Sequence, residues 1–167
     1  MATNRHWAQV RKTLEQNLLC DSLKGRVRYF ATRYRKAHDN LGRVCVLVDD
    51  KEILNIPFSV EYKVIAGTYK LDCDRSLGEL YDMVAKGFGD QGLFAPWDFG
   101  ISLDEFLSNS ISQSLESSGW IVRMLAIMDR RVGKRTLEKI KPSVASLPEW
   151  LQYFYKLRLD SESLLTQ

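Results

Sequence analysis

The stretch Arg43-Val44-Cys45-Val46-Leu47-Val48-Asp49-Asp50-Lys51-Glu52-Ile53-Leu54-Asn55-Ile56 reads as two strands joined by a tight turn. Val44–Val48 is wholly apolar and rich in β-branched residues, as a strand interior requires. Asp49-Asp50-Lys51 has the chemistry of a hairpin turn, and Glu52 to Ile56 forms the short return strand. A strand with no polar side belongs in the middle of a sheet, with something packed over each face. Upstream, Arg26 to Lys36 alternates and is tied to Arg43 by the loop His38-Asp39-Asn40-Leu41-Gly42. The three strands make an antiparallel meander. Phe58 to Leu71, with Val60, Tyr62 and Val64, reads either as a fourth strand or as a helix.

Working outward, Trp7, Val10, Leu14 and Leu18 recur at helical spacing, widened by Leu19. They predict a helix from Asn4 to Cys20, capped by Thr3 or Asn4 and ended by Asp21-Ser22 and Lys24-Gly25. Beyond Cys73 the pattern turns helical. Ser76-Leu77-Gly78-Glu79 and Ser102-Leu103-Asp104-Glu105 have the capping-box form, and Ser146-Leu147-Pro148-Glu149 carries an early proline. The expected helices are Leu77–Lys86, Leu103–Glu116, Trp120–Arg131, Thr136–Ile140 and Leu147–Ser161. The third is apolar nearly all round, which marks the centre of a bundle. The fold class is therefore α+β: an N-terminal helix, a three- or four-stranded antiparallel sheet and a C-terminal helical bundle. One domain, 1–167, is expected, with helix and meander over about 4–71 and the helical part over about 76–162.

The 167 residues are 45% apolar and 27% charged, a globular composition large enough to bury a core without staples. The net charge of +3 hides an asymmetry: residues 1–44 hold ten Lys/Arg against three Asp/Glu, whereas 45–167 hold fourteen against eighteen. Such polarity can steer an anionic partner to one end, or draw two ends together. Cys20, Cys45 and Cys73 are odd in number and lack C-x-x-C spacing. With no apolar leader at the start, they point to a reducing cytoplasm. No window approaches a membrane span.

The densest chemistry lies in Lys24-Gly25-Arg26-Val27-Arg28-Tyr29-Phe30-Ala31-Thr32-Arg33-Tyr34-Arg35-Lys36, with six Lys/Arg and three aromatics in thirteen residues. By strand parity Val27, Tyr29 and Ala31 share one face, and Arg26, Arg28, Phe30, Thr32, Tyr34 and Lys36 the other. Exposed rings between cations stack unpaired bases and hold phosphates. The residues Arg26, Arg28, Phe30, Tyr34 and Lys36 are thus the candidate binding site. The expected partner is anionic, either single-stranded nucleic acid or an acidic protein surface. The competing account covers this face with helices, so that the arginines merely pair with acids. A further alternative is a protein-interaction subunit whose exposed aromatics dock a partner.

For catalysis, Asp50 and the E-x-K of Glu61-Tyr62-Lys63, eleven residues on, resemble the metal site of restriction-type nucleases. There two carboxylates hold a divalent ion and the lysine orients water. E-x-K is frequent by chance, and solvated strand charges explain it equally. Gly87-Phe88-Gly89-Asp90-Gln91-Gly92 spells G-x-G-x-x-G but follows a helix rather than a strand, so a helix stop is the better account. His6 and His38 lack neighbours at metal-ligand spacing. No metal site, cofactor or nucleophile elbow is expected. Asp129-Arg130-Arg131-Val132-Gly133-Lys134-Arg135-Thr136 suggests a helix-turn-helix, but the first helix is too apolar to lie on a backbone and Thr136–Ile140 too short to read a groove.

Ser22-Leu23-Lys24-Gly25-Arg26-Val27 with Ala31-Thr32-Arg33-Tyr34-Arg35-Lys36, then Gly42-Arg43-Val44, and later Met128-Asp129-Arg130-Arg131-Val132-Gly133-Lys134-Arg135 resemble the motifs of a family of small uncharacterised bacterial proteins. The resemblance spans most of the chain. It implies a cytoplasmic bacterial protein and brings no activity, cofactor or catalytic residue. The two basic motifs could equally be a structural pair.

Overall fold

The computed structural model describes residues 6–32, 42–56 and 86–164. Within them lies the expected meander: β1 (Val27–Ala31), β2 (Val44–Val48) and β3 (Lys51–Ile56), antiparallel in the order β1-β2-β3. Val48 pairs with Lys51, so the β2–β3 loop is just Asp49-Asp50, and both residues take positive φ, 49° and 65°. Two left-handed residues in a row turn the chain with the twist that two antiparallel strands need, and Asp tolerates that conformation better than most. Lys51, expected in the turn, belongs to the strand. Between the Val46↔Leu54 and Leu47↔Glu52 pairs, Ile53 is an extra residue, and the bulge returns Leu54 and Ile56 to the face of Val44, Val46 and Val48.

That inner face, with Val27 and Tyr29 from β1, is buried. The first strand is shorter than expected; it ends at Ala31, and residues 33–41 lie outside the described region, as do Phe58–Leu71 and most of the helix expected over Leu77–Lys86. The N-terminal helix is α1 (Trp7–Lys12), followed by a wider π turn, Thr13–Leu18, in which the Leu19 N–H donates to the Leu14 carbonyl at 2.9 Å. It stops two residues before the expected Cys20. From the π turn, Glu15 Oε1 accepts the Tyr29 N–H at 2.8 Å, which blocks part of the open edge of β1.

The helical part comprises α2 (Pro96–Ser108), α3 (Ile111–Glu116), α4 (Trp120–Met128), α5 (Lys134–Val144) and α6 (Glu149–Leu164). The single helix expected over Leu103–Glu116 is thus two. Its expected capping box at Ser102 falls inside α2, which begins six residues earlier with Pro96, where Asp98 accepts the Ala95 N–H at 2.8 Å. The working box is Ser110 with Gln113: each side chain accepts the other's backbone N–H, at 3.3 and 2.9 Å, and so starts α3. Helix α4 is the central helix foreseen. Ile121, Val122 and Met124 to Met128 are all buried, and α2, α3 and α6 pack around it. Each fully buried aliphatic chain of this kind contributes roughly 1.5–3 kcal/mol. Sheet and helices share one core, in which Phe99 of α2 lies 6.3 Å from the rings of both Tyr29 and Trp7.

The G-x-G-x-x-G stretch is a helix stop, as read. Residues 86–90 are helical, and the stop comes at Gly92, whose φ is +74°. The Trp150 indole donates to the Gly89 carbonyl at 3.0 Å and fastens this turn to α6.

Candidate functional site

The outer face of the sheet carries Arg28 and Phe30 from β1, Cys45 and Leu47 from β2, and Glu52 and Asn55 from β3, aligned by the register Arg28↔Leu47↔Glu52 and Phe30↔Cys45↔Asn55. The parity expected for β1 holds residue by residue: Val27 and Tyr29 are buried, Arg28 and Phe30 exposed. Phe30 is 45% exposed, an unusual position for a large ring in a strand. It borders a depression of about 500 Å³ lined also by Arg11, Glu15, Arg28, Arg43, Cys45, Leu47 and Glu52.

Three cations of this face are already matched. Arg26 grips Asp49 with two parallel bonds, Nε–Oδ1 at 2.9 Å and Nη2–Oδ2 at 2.8 Å. Arg28 pairs with Asp50, and Arg43 with Glu52. The Arg26 hydrogen bond holds the Asp49 carboxyl below the usual carboxylate range. Tyr153 of α6 stands beside that pair, and partial burial, then the Asp49 charge, pushes its phenol up. The acids that neutralise the strand come from the turn and strand that β2 brings alongside it, not from the acidic second half as a whole. Exposed pairs of this kind are screened by water and exchange readily for another anion.

Of the sequence candidates, the structure unites Arg26, Arg28 and Phe30 on one strand; Tyr34 and Lys36 lie outside the described residues. Asp50 sits in the hairpin loop with its carboxylate engaged by Arg28, and Glu61 and Lys63 also lie outside the described residues. Among the described residues no group of three His, Cys, Asp or Glu side chains could hold a metal ion. His6 is exposed at the start of α1. Arg43, which sequence reasoning left out of the site, shares the outward parity of Cys45 and Leu47. Its Nη2 lies 3.7 Å from the Cys45 Sγ. Parity counted back from the apolar strand was the signal that could have found it.

The segment just before the first basic motif bridges the start of the second. Cys20 N–H donates to the Met128 carbonyl at 3.0 Å and Arg130 N–H to the Leu18 carbonyl at 2.7 Å, a short antiparallel bridge. Ser22 Oγ, 2.9 Å from Ser161 Oγ, ties the first motif to α6 instead. Asp129, only 1% exposed, accepts the Arg131 N–H at 2.7 Å and its guanidinium at 3.0 and 2.8 Å, and so shapes the turn after α4. Arg158 of α6, 2% exposed, donates to the carbonyls of Met128, Asp129 and Val132 at 3.2, 3.3 and 2.7 Å and pairs with Glu162 at 2.9 Å. Nothing in its helical spacing distinguished Arg158 from a solvated residue; only the packing of α6 on that turn buries it.

Residues 6–159 match the SF0329 protein family. No curated protein and no solved structure matches the chain. The match covers nearly the whole chain, and the protein belongs to this uncharacterised family, as its motifs led us to expect.

Proposed function

We propose that the protein is a non-enzymatic binding protein that uses the outer face of its sheet to hold an anionic partner, single-stranded nucleic acid. The observation that carries this reading is Phe30, an exposed ring set between Arg28 and the Cys45–Leu47 strand at the rim of an open depression. A base stacks on such a ring whatever its identity, and the neighbouring guanidinium groups can release their carboxylates for phosphate. Charge contributes less here than the sequence suggests, because Arg26, Arg28 and Arg43 each have an acidic partner. The setting assumed is the bacterial cytoplasm, where the buried Cys20 and Cys45 remain thiols. No helix among the described residues is long and apolar enough to cross a membrane.

The test is binding of a fluorescent oligo-dT by the parent and by Phe30→Ala. The variant should lose about 1–3 kcal/mol of affinity, the value of one base–aromatic stack, while keeping its melting temperature. A folded Phe30→Ala protein that binds as tightly as the parent overturns the reading. Parental binding that is lost equally to an acidic polypeptide competitor would move the partner to an acidic protein surface.

A further inference from the structure

The depression that Phe30 borders has a second wall, which comes from the N-terminal helix rather than the sheet. Arg11 of α1 and Glu15 of the π turn both line it. Glu15 is half-buried and fixed in place. Its Oε1 accepts the Tyr29 N–H at 2.8 Å, so the carboxylate sits on the edge of β1 at the residue between Arg28 and Phe30. A carboxylate has about four acceptor positions, and covering the strand edge takes one of them. Glu15 forms no ion pair among the described residues. The other carboxylate of the depression is spoken for: Glu52 pairs with Arg43 and accepts the Asn55 amide at 3.4 Å. The turn that carries Glu15 is π rather than α, an irregularity that recurs at functional sites. A carboxylate repels phosphate and only accepts hydrogen bonds, so whatever it meets on a ligand must bring a donor.

We infer, resting on the reading of the Phe30 face as a single-strand site, that the nucleic acid it holds is RNA, and that Glu15 accepts the ribose 2′-hydroxyl of the nucleotide stacked on Phe30. Within a DNA strand the sugar carries no hydroxyl, so its donors lie on base edges alone, and the Glu15 charge only opposes the backbone. In RNA every nucleotide presents the 2′-hydroxyl, the group by which a protein tells the two polymers apart. The lining matches one ribonucleotide in kind: a ring for the base, a carboxylate for the hydroxyl and guanidinium groups for the phosphate. Arg11 is exposed and forms no ion pair among the described residues, so it can take phosphate without first giving up an acid, as Arg28 and Arg43 must. A volume of about 500 Å³ is that of a small-ligand site, enough for one nucleotide.

Oligo-U and oligo-dU differ in the 2′-hydroxyl alone and therefore separate the sugar from base and phosphate. The parent should bind oligo-U about tenfold more tightly or better, the usual worth of one hydrogen bond to a charged group. Glu15→Gln keeps an oxygen for the Tyr29 N–H and should cut the preference to about threefold, since a neutral hydrogen bond has roughly half the strength of a charge-assisted one. Glu15→Ala should bring the two affinities together. Arg11→Ala should weaken both oligomers and lower each salt slope by about 0.7, and Phe30→Ala should weaken both; neither should alter the ratio. The ratio is taken within one protein, so a reduced folded fraction lowers both affinities alike and leaves it readable. Equal affinities in the parent overturn the RNA assignment, and so does a parental ratio in Glu15→Ala. If Phe30→Ala still weakens both oligomers, the single-strand reading of the face survives either result. A parent that binds neither oligomer removes that reading and the RNA assignment together.

Discussion

Two cationic stretches of this chain look alike in sequence and differ in what surrounds them. In β1 (Val27–Ala31) and its flanks, Arg26, Arg28 and the facing Arg43 meet Asp49, Asp50 and Glu52 across the meander. In α5 (Lys134–Val144), Arg135, Lys139 and Lys141 face water with no such partner among the described residues. The difference is topological. A hairpin brings its own turn and return strand beside the first strand, so acids nearby in sequence become neighbours in space. A helix on the surface of a bundle has only its i±3 and i±4 residues for company, and here Glu138 is the one acid among them. The counted charge of a stretch therefore says little about the charge it presents.

The comparison can be broken first at the one arginine that is buried. Arg158→Met keeps the aliphatic bulk but withdraws the guanidinium from the Met128, Asp129 and Val132 carbonyls and from the Glu162 carboxylate. A loss of about 3–5 kcal/mol is expected in urea unfolding, the usual cost of halving a buried pair. Arg28→Met, the same change on the exposed strand face, should move stability by less than about 0.5 kcal/mol. Equal effects at the two sites would erase the distinction between structural and presented charge.

The pairing on β1 can next be undone from its acidic side. Asp50→Gly removes the carboxylate that holds Arg28 and places at φ 65° the residue best suited to it. The fold should be kept or slightly strengthened, and one freed guanidinium should steepen the salt dependence of oligo-dT binding by about 0.7 unit. An unchanged slope would mean that Arg28 does not face the ligand even when released.

The smallest effect is in the pH dependence. The Arg26 hydrogen bond lowers the folded-state pKa of Asp49 below its unfolded value. The carboxylate's contribution is therefore fully present above the ordinary carboxylate pKa and fades as pH falls through the lower folded value. Thermal melts of the parent and Asp49→Asn should differ at neutral pH and converge below about pH 4. A constant difference across that range would show that the pair does not contribute to stability.

The site was legible where a strand's period of two governs. Arg28 and Phe30 outward, Val27 and Tyr29 inward, needed no structure, and neither did the place of Val44–Val48 at the centre of the sheet. Helix ends were less legible. Ser102 to Glu105 spells a capping box yet lies within α2, because a cap works only where the chain leaves the helix, and the proline at 96 had already started it. The helix expected over Thr136–Ile140 runs on through Pro142, which near the end of α5 forfeits only one backbone bond, and Val144 packs on the core beyond it.

What this sequence determined by itself is local: the apolar meander, the inward and outward faces of its strands, the wholly apolar α4, and the presence of two basic motifs. Those features depend on side-chain period and turn chemistry, which act over a few residues. The tertiary structure alone decided which charges are answered. It set Asp49, Asp50 and Glu52 against the arginines of the sheet, folded Arg158 onto the turn after α4, and left α5 uncovered. Ion pairing depends on distances of a few ångströms between residues far apart in the chain, and those distances exist only once the core has closed.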